Sequence, residues 1–162
     1  MKTNLALVAA ALLVGFGPAR ADDHERFPLS PAYQEECGSC HVAYPPRLLP
    51  AQSWQAVMAG LDKHFGSDAS LDAVKAKEIG GYLAANAGRS ERLAAPGANG
   101  GVNLKITDTP WFKRKHRDGH DGLSAAVWKS AAVKSPANCA ACHRQAAAGD
   151  YSEGNIRIPR GN

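Results

Sequence analysis

Apolar side chains recur every three or four residues in two stretches: Trp54, Val57, Met58 and Leu61 in one, Leu71, Val74, Ile79, Tyr82 and Leu83 in the other. That period puts them on one face of a helix. The first pattern predicts a helix over 51–61 that stops at Phe65-Gly66, with Gly66 as the left-handed residue past its end. The second predicts a helix from Leu71 to about Asn86, capped by Ser70 and terminated by Gly88. Gly80-Gly81 weakens that helix; a close crossing, with no Cβ to hold two backbones apart, is the expected compensation. Ser30-Pro31 reads as N-cap and first helical position, opening a helix that carries Tyr33, Glu36 and Cys37 and ends around His41. Pro45, Pro46 and Pro50 then predict an extended loop over 42–50.

Past Gly88 the pattern fades. Residues 88–103, rich in Gly, Ala and Asn, read as a linker. Beyond them the sequence predicts a short extended piece at 105–107, a short basic helix over 111–117, a turn at 118–122 and a helix over about 123–131. Ser135-Pro136 repeats the cap-and-proline device and predicts a helix bearing residues 139–143, followed by an irregular tail after Gly149. The expected class is mainly α. Its expected divisions are an N-terminal domain over 22–88, a linker over 89–103 and a smaller, irregular C-terminal domain over 104–162.

Residues 1–21 read as an export signal: Lys2 supplies the charge, Leu5 to Phe16 the apolar run, and Ala19-Arg20-Ala21 the cleavage site. The run is too short to span a bilayer and no other stretch is long enough, so a soluble, monomeric exported protein is expected. Charge is unevenly spread. Residues 22–88 carry nine acidic and five basic side chains, while residues 89–162 carry twelve basic and six acidic ones. Such a dipole orients a molecule toward partners of opposite sign. No aromatic-rich basic cluster points to nucleic acid.

The chemistry lies in two pentapeptides, Cys37-Gly38-Ser39-Cys40-His41 and Cys139-Ala140-Ala141-Cys142-His143. Cys-x-x-Cys-His is the attachment signature of a c-type haem. The two thiols suit thioether bonds to the vinyl groups of one porphyrin, and the adjacent histidine lies under the iron as its proximal ligand. The two copies use all four cysteines of the chain. Two disulfides or a Cys₄ zinc site are the rivals. Zinc ribbons place their pairs about 15–20 residues apart, whereas 99 positions separate Cys40 from Cys139. Neither rival accounts for a histidine after each pair, and a thioredoxin-like motif would need strands around it. Two covalently bound haem c groups are therefore expected, the second acting as the core of an apolar-poor half. Attachment of such haems follows export, which points to a bacterial periplasm.

The sixth ligand decides what each iron does. The spare candidates are His24, His64, His116, His120 and Met58. For the first haem His64 is favoured, since it ends the 51–61 helix and follows His41 by 23 residues. Met58 belongs to the apolar stripe, where methionine is more often core, and His24 is the remaining option. For the second haem His116, which follows Trp111-Phe112, is favoured over His120. The two could also pair at i, i+4 as a divalent metal site, but Gly119 and the flanking aspartates argue against a continuous helix.

Leu61-Asp62-Lys63-His64-Phe65-Gly66 with Asp68 to Asp72, Pro110-Trp111 through His116-Arg117, and Val133 through Ser135-Pro136 to His143 resemble the bacterial dihaem cytochrome c family often called DHC. Gly149-Asp150 and Ile158-Pro159 fit the same pattern, and the similarity covers most of residues 30–160. Helix, haem motif, loop, helix, helix in the first half is also the order of a class I cytochrome c. The resemblance implies a class I-like N-terminal domain, an irregular haem-centred C-terminal domain, and two bis-histidine haems with His64 and His116 as distal ligands. It implies electron transfer from a membrane b-type cytochrome to an oxygen-binding monohaem cytochrome (the sphaeroides haem protein), with no catalysis. His120 departs from the pattern. The other readings are a small dihaem subunit of a periplasmic nitrate reductase, a peroxidase or nitrogen-oxide-reactive haem, for which no acid–base pair stands out, and a ligand sensor.

Overall fold

The computed structural model describes residues 26–97 and 100–161. The export signal and His24 lie outside them. Among the described residues there are five α-helices, several single 3₁₀ turns and isolated bridges, with no extended strand.

Helix α1 (Pro31–Cys37) begins as its sequence dictates, with Ser30 Oγ accepting the Tyr33 N–H at 3.2 Å and proline in the first turn. It ends at Cys37, one turn short of the expected His41, so Cys40 and His41 lie in the turn that follows. The proline-rich segment closes into a 3₁₀ turn at Pro46–Leu48, pinned by Trp54 Nε1, which donates to the Pro46 carbonyl at 2.6 Å. Helix α2 (Ala51–Ala59) is shorter than the expected 51–61. Its chain continues as a separate 3₁₀ turn, Leu61–Lys63, that delivers His64. Phe65 and Gly66 then take positive φ, 48° and 95°, the left-handed region in which glycine is at home.

Helix α3 (Ala73–Ala85) is capped by Asp72, whose Oδ1 accepts the Val74 and Lys75 N–H groups at 3.0 Å. Ser70 is not the cap: its own N–H is held by Asp68 Oδ1 at 2.9 Å, which keeps residues 70–72 outside the helix. The close crossing expected at Gly80-Gly81 is also absent. A Cβ on Gly80 would meet Met58 Cγ at an ordinary 4.0 Å, and one on Gly81 would meet no protein atom. Helices α1 and α2 pack on α3 around Tyr33, Ala43, Leu49, Trp54, Ile79 and Leu83. Burial of this apolar set is the main drive for the N-terminal half.

Residues 88–93 return over that half: Gly88 N–H donates to Leu49 O at 2.9 Å and Leu93 is buried. The piece expected to be extended at 105–107 is a 3₁₀ turn, Ile106–Asp108. It leads to Thr109, whose Oγ1 caps helix α4 (Pro110–Lys115) by accepting the Phe112 N–H at 3.1 Å. Helix α5 (Ala125–Lys129) is capped by Ser124. The α-helix expected to carry residues 139–143 does not form, and only Cys139–Ala141 makes a 3₁₀ turn. Ser135 Oγ closes locally on the Ala137 N–H at 3.2 Å, and Asn138 sits at ψ 73° with its amide donating to Val133 O. The cap-and-proline signal therefore closes a turn whose exit is not helical.

Leu123, Val127 and Val133 form a small cluster of their own. A further cluster joins the two halves: Phe27, Ala146 and Tyr151, with Val42 and Cys139 against them. Phe27 N–H donates to Gly149 O at 2.8 Å and Arg26 Nε lies 3.1 Å from Asp150 Oδ2, so the chain before α1 packs on the C-terminal half. Gly149 is required there. Its φ is 72°, and a Cβ would run into the Phe27 carbonyl. Among the described residues no helix is long and apolar enough to cross a membrane.

Candidate haem sites

His41 follows Cys40 in the turn after α1 and is half-buried. Its Nδ1–H donates to the neighbouring Val42 carbonyl at 2.8 Å. That bond selects the tautomer that leaves Nε2 as a lone-pair donor. Two rings neighbour the imidazole. Tyr44 stacks on one side at 4.7 Å between centroids and 16° between planes, and His64 stands 6.2 Å away at 25°. His64 is held by the turn at the end of α2, with Phe65 edge-on at 4.9 Å. Met58 packs into the helical core and is not the residue facing His41.

The second site is built the same way from different elements. His116 is the C-cap of α4, its N–H bonded to Phe112 O at 2.9 Å and its Nδ1–H donating to the same carbonyl at 3.1 Å. Phe112 lies flat on its ring, with centroids 4.0 Å apart and planes at 13°, and Trp111 and Trp128 close the flanks. Across the gap, His143 stands 6.2 Å away with planes at 61°. Tyr151 packs against His143 at 5.1 Å, and the buried Nδ1 of His143 has no hydrogen-bond partner. His120 points elsewhere: its Nδ1 lies 2.7 Å from Asp121 Oδ2, in a turn opened by Gly119 at φ 78°. The histidines brought together are thus 41 with 64 and 116 with 143.

Burial lowers the pKa of His64, His116 and His143, and the neighbouring histidine of each pair pushes His64 and His143 the same way. For His116 the Phe112 carbonyl pulls in the other direction, while His120 and Lys115 push the same way as burial. Neutral imidazoles are the form that ligates metal. The four cysteines are unpaired, and burial pushes the thiols of Cys37 and Cys139 up to about 11. That behaviour belongs to free thiols, since a thioether sulfur does not titrate.

Two metal–nitrogen bonds of about 2 Å, extended by the ring radius at each end, add to roughly 6 Å between imidazole centroids. Both pairs have this separation, and each has a Cys-x-x-Cys beside one member. The donors therefore fit one haem iron per pair. A cavity of about 150 Å³ backs His64, and a larger one of about 390 Å³ lies under residues 93–96 and 100–103, away from both pairs. Tyr44, Tyr151 and the Phe112 carbonyl were not picked out from the sequence as holders of the ligand rings. The only signal for them was aromatic residues a few positions from a candidate histidine.

Comparison with known proteins bears on the same residues. The model of the Dihaem cytochrome c family matches residues 33–151. A diheme cytochrome c from Rhodobacter sphaeroides is 43% identical, with a TM-score of 0.66, over 78% of this chain and 99% of that one. A diheme cytochrome type c from Shewanella baltica OS155 is 36% identical, with a TM-score of 0.65, over 82% of this chain and 95% of that one. No curated protein matches. A helical fold, two attachment motifs each beside a pair of facing histidines, and these matches lead to one conclusion: the chain belongs to the dihaem cytochrome c family, and is an electron-transfer cytochrome with two covalently attached haem c groups.

Proposed function

We propose that both irons are closed on both faces by imidazole, the first by His41 and His64, the second by His143 and His116, so that electrons are the only thing exchanged. The observation that carries this reading is the common 6.2 Å separation of the two ring pairs. When bound, each haem supplies one-electron chemistry, and histidine on both faces generally leaves its potential lower than His/Met ligation does. The protein's part is to hold the rings. The Val42 and Phe112 carbonyls fix two of them by hydrogen bonds to Nδ1–H, aromatic stacking holds His41 and His116, and the tilted Tyr151 ring packs against His143. Burial keeps three of the imidazoles neutral. A closed coordination sphere leaves no position for a substrate.

On this reading the exported protein works in the periplasm as a monomer. It consists of an N-terminal haem domain over 22–88, a linker over 89–103 and a C-terminal haem domain over 104–162. It accepts electrons from a membrane b-type cytochrome and delivers them to a soluble, oxygen-binding monohaem cytochrome. The basic bias of residues 89–162 favours an acidic docking surface on one of those partners. The test is spectroscopic. The ferric holoprotein should be low-spin at both haems, and the ferrous protein should not bind carbon monoxide. A substantial high-spin fraction or stoichiometric carbon monoxide binding refutes the ligation.

A further inference from the structure

Tyr44 touches both haem sites. Its ring stacks on His41, 4.7 Å between centroids and 16° between planes. Its hydroxyl donates at 2.8 Å to the carbonyl of Ala137, 93 positions along the chain and two before Cys139. The residue has little freedom to do otherwise. The Tyr33 hydroxyl, rising from the core at α1, donates to the Tyr44 carbonyl at 2.9 Å. Pro45 follows and holds the Tyr44 backbone extended. Three further polar ties cross between the halves: Gln34 Nε2 to Ala147 O at 3.1 Å, the Phe27–Gly149 pairing and the Arg26–Asp150 ion pair. None of them rests on a candidate axial ligand.

We infer that Tyr44 is a positioning residue that locks the plane of the His41 ring to the loop carrying the second haem's attachment cysteines. The ring and the hydroxyl have separable parts. The stacked ring, together with the His41–Val42 bond, leaves one orientation for the imidazole, as outer contacts of a metal-bound histidine do. The hydroxyl holds residues 135–139 in register with that ring, in a stretch whose other hydrogen bonds stay among its own neighbours and whose Cys139 rests on the Phe27–Tyr151 cluster. That phenol then takes part in setting the distance between the two haems. The ring plane of His41 also becomes sensitive to how the second attachment loop sits.

The inference rests on bis-histidine ligation of the first haem, and the experiment separates the two. Holoprotein with both haems attached is compared with Tyr44→Phe and Tyr44→Leu by electron paramagnetic resonance of the ferric state. Hydrogen exchange over 135–142 is measured on the same samples. Tyr44→Leu should shift the g-values of the first haem and leave those of the second in place. Tyr44→Phe should restore the first-haem signal while residues 135–142 exchange about five-fold faster, the loss of one hydrogen bond of about 1 kcal/mol. First-haem g-values in Tyr44→Leu that overlay the parent's, or unchanged exchange in Tyr44→Phe, overturn the inference and leave the ligation intact. A high-spin first haem in the parent protein overturns both. If Tyr44→Leu does not load haem, the exchange result for Tyr44→Phe decides.

Discussion

His116 and His143 face each other with their ring planes crossed at 61°, whereas His41 and His64, at the same 6.2 Å separation, are only 25° apart. The cause is local. Phe112 clamps His116 from below and through its carbonyl, and Tyr151 packs against His143 from another side. The g-anisotropy of a low-spin ferric haem responds to the angle between its axial imidazole planes. Two distinct low-spin signals are therefore expected from the oxidised protein, with the larger maximum g-value from the second haem. Two superimposable signals would show that the planes relax to a common angle once iron is bound.

Single substitutions assign the second distal ligand. His116→Ala should open the second iron, giving a high-spin ferric component of about half the total haem and new carbon monoxide binding in the ferrous state. His120→Ala should leave both haems low-spin, because its ring is engaged with Asp121 and not with His143. If the His120 variant becomes high-spin and the His116 variant does not, the assignment is reversed.

The sequence carried the parts of this architecture that arise from local chemistry. Both attachment motifs, the Ser30-Pro31 start of α1 and the apolar stripes of α2 and α3 each follow from neighbours within one or two turns. Ends and caps went differently. Ser70 and Asp72 are both competent caps, and Asp68 decides between them by taking the Ser70 N–H. Ser135-Pro136 carries the same local signal as Ser30-Pro31, yet Asn138 leaves the helical region and no helix follows. The packing of Phe27 on Ala146 and Tyr151, and the reach of Tyr44 to Ala137, join residues about a hundred positions apart. No periodicity encodes such contacts.

Asp150 gives an acid-side prediction. Its carboxylate accepts from the Ser152 hydroxyl at 2.6 Å, the Ser152 N–H at 2.9 Å and Asn155 Nδ2 at 3.2 Å, and lies against Arg26. These bonds, led by those from Ser152, hold its pKa below the ordinary 3.8. A depressed folded-state pKa contributes stability that is full above the unfolded value and is lost as pH falls through the folded one. Asp150→Asn should therefore lower the Tm of the holoprotein near neutral pH, and its deficit relative to the parent should shrink as pH falls below 3.8. A deficit constant across that range would mean the loss is one of shape and not of charge.

Haem removal should expose how unequally the two halves are built. The N-terminal half buries six residues around Trp54, Ile79 and Leu83, and α2 packs along α3. The C-terminal half has one small cluster of Leu123, Val127 and Val133, Ala146 and Tyr151 in another shared with Phe27, two helices of six and five residues, and single turns. Helices that short do not stand alone in water, and a core that small cannot offset the entropy of ordering the chain around it. The second porphyrin, between His116 and His143, supplies the missing apolar mass. Cys139→Ser with Cys142→Ser prevents its attachment. Amides over 110–158 should then exchange at least about tenfold faster, while those of α2 and α3 change little, a split that corresponds to about 1.4 kcal/mol or more of local stability. Because Phe27 packs on Ala146 and Tyr151, residues 26–29 should loosen with the C-terminal half even though α1 begins at Pro31. Uniform acceleration over the whole chain would show a single cooperative unit, with the second haem serving both halves alike.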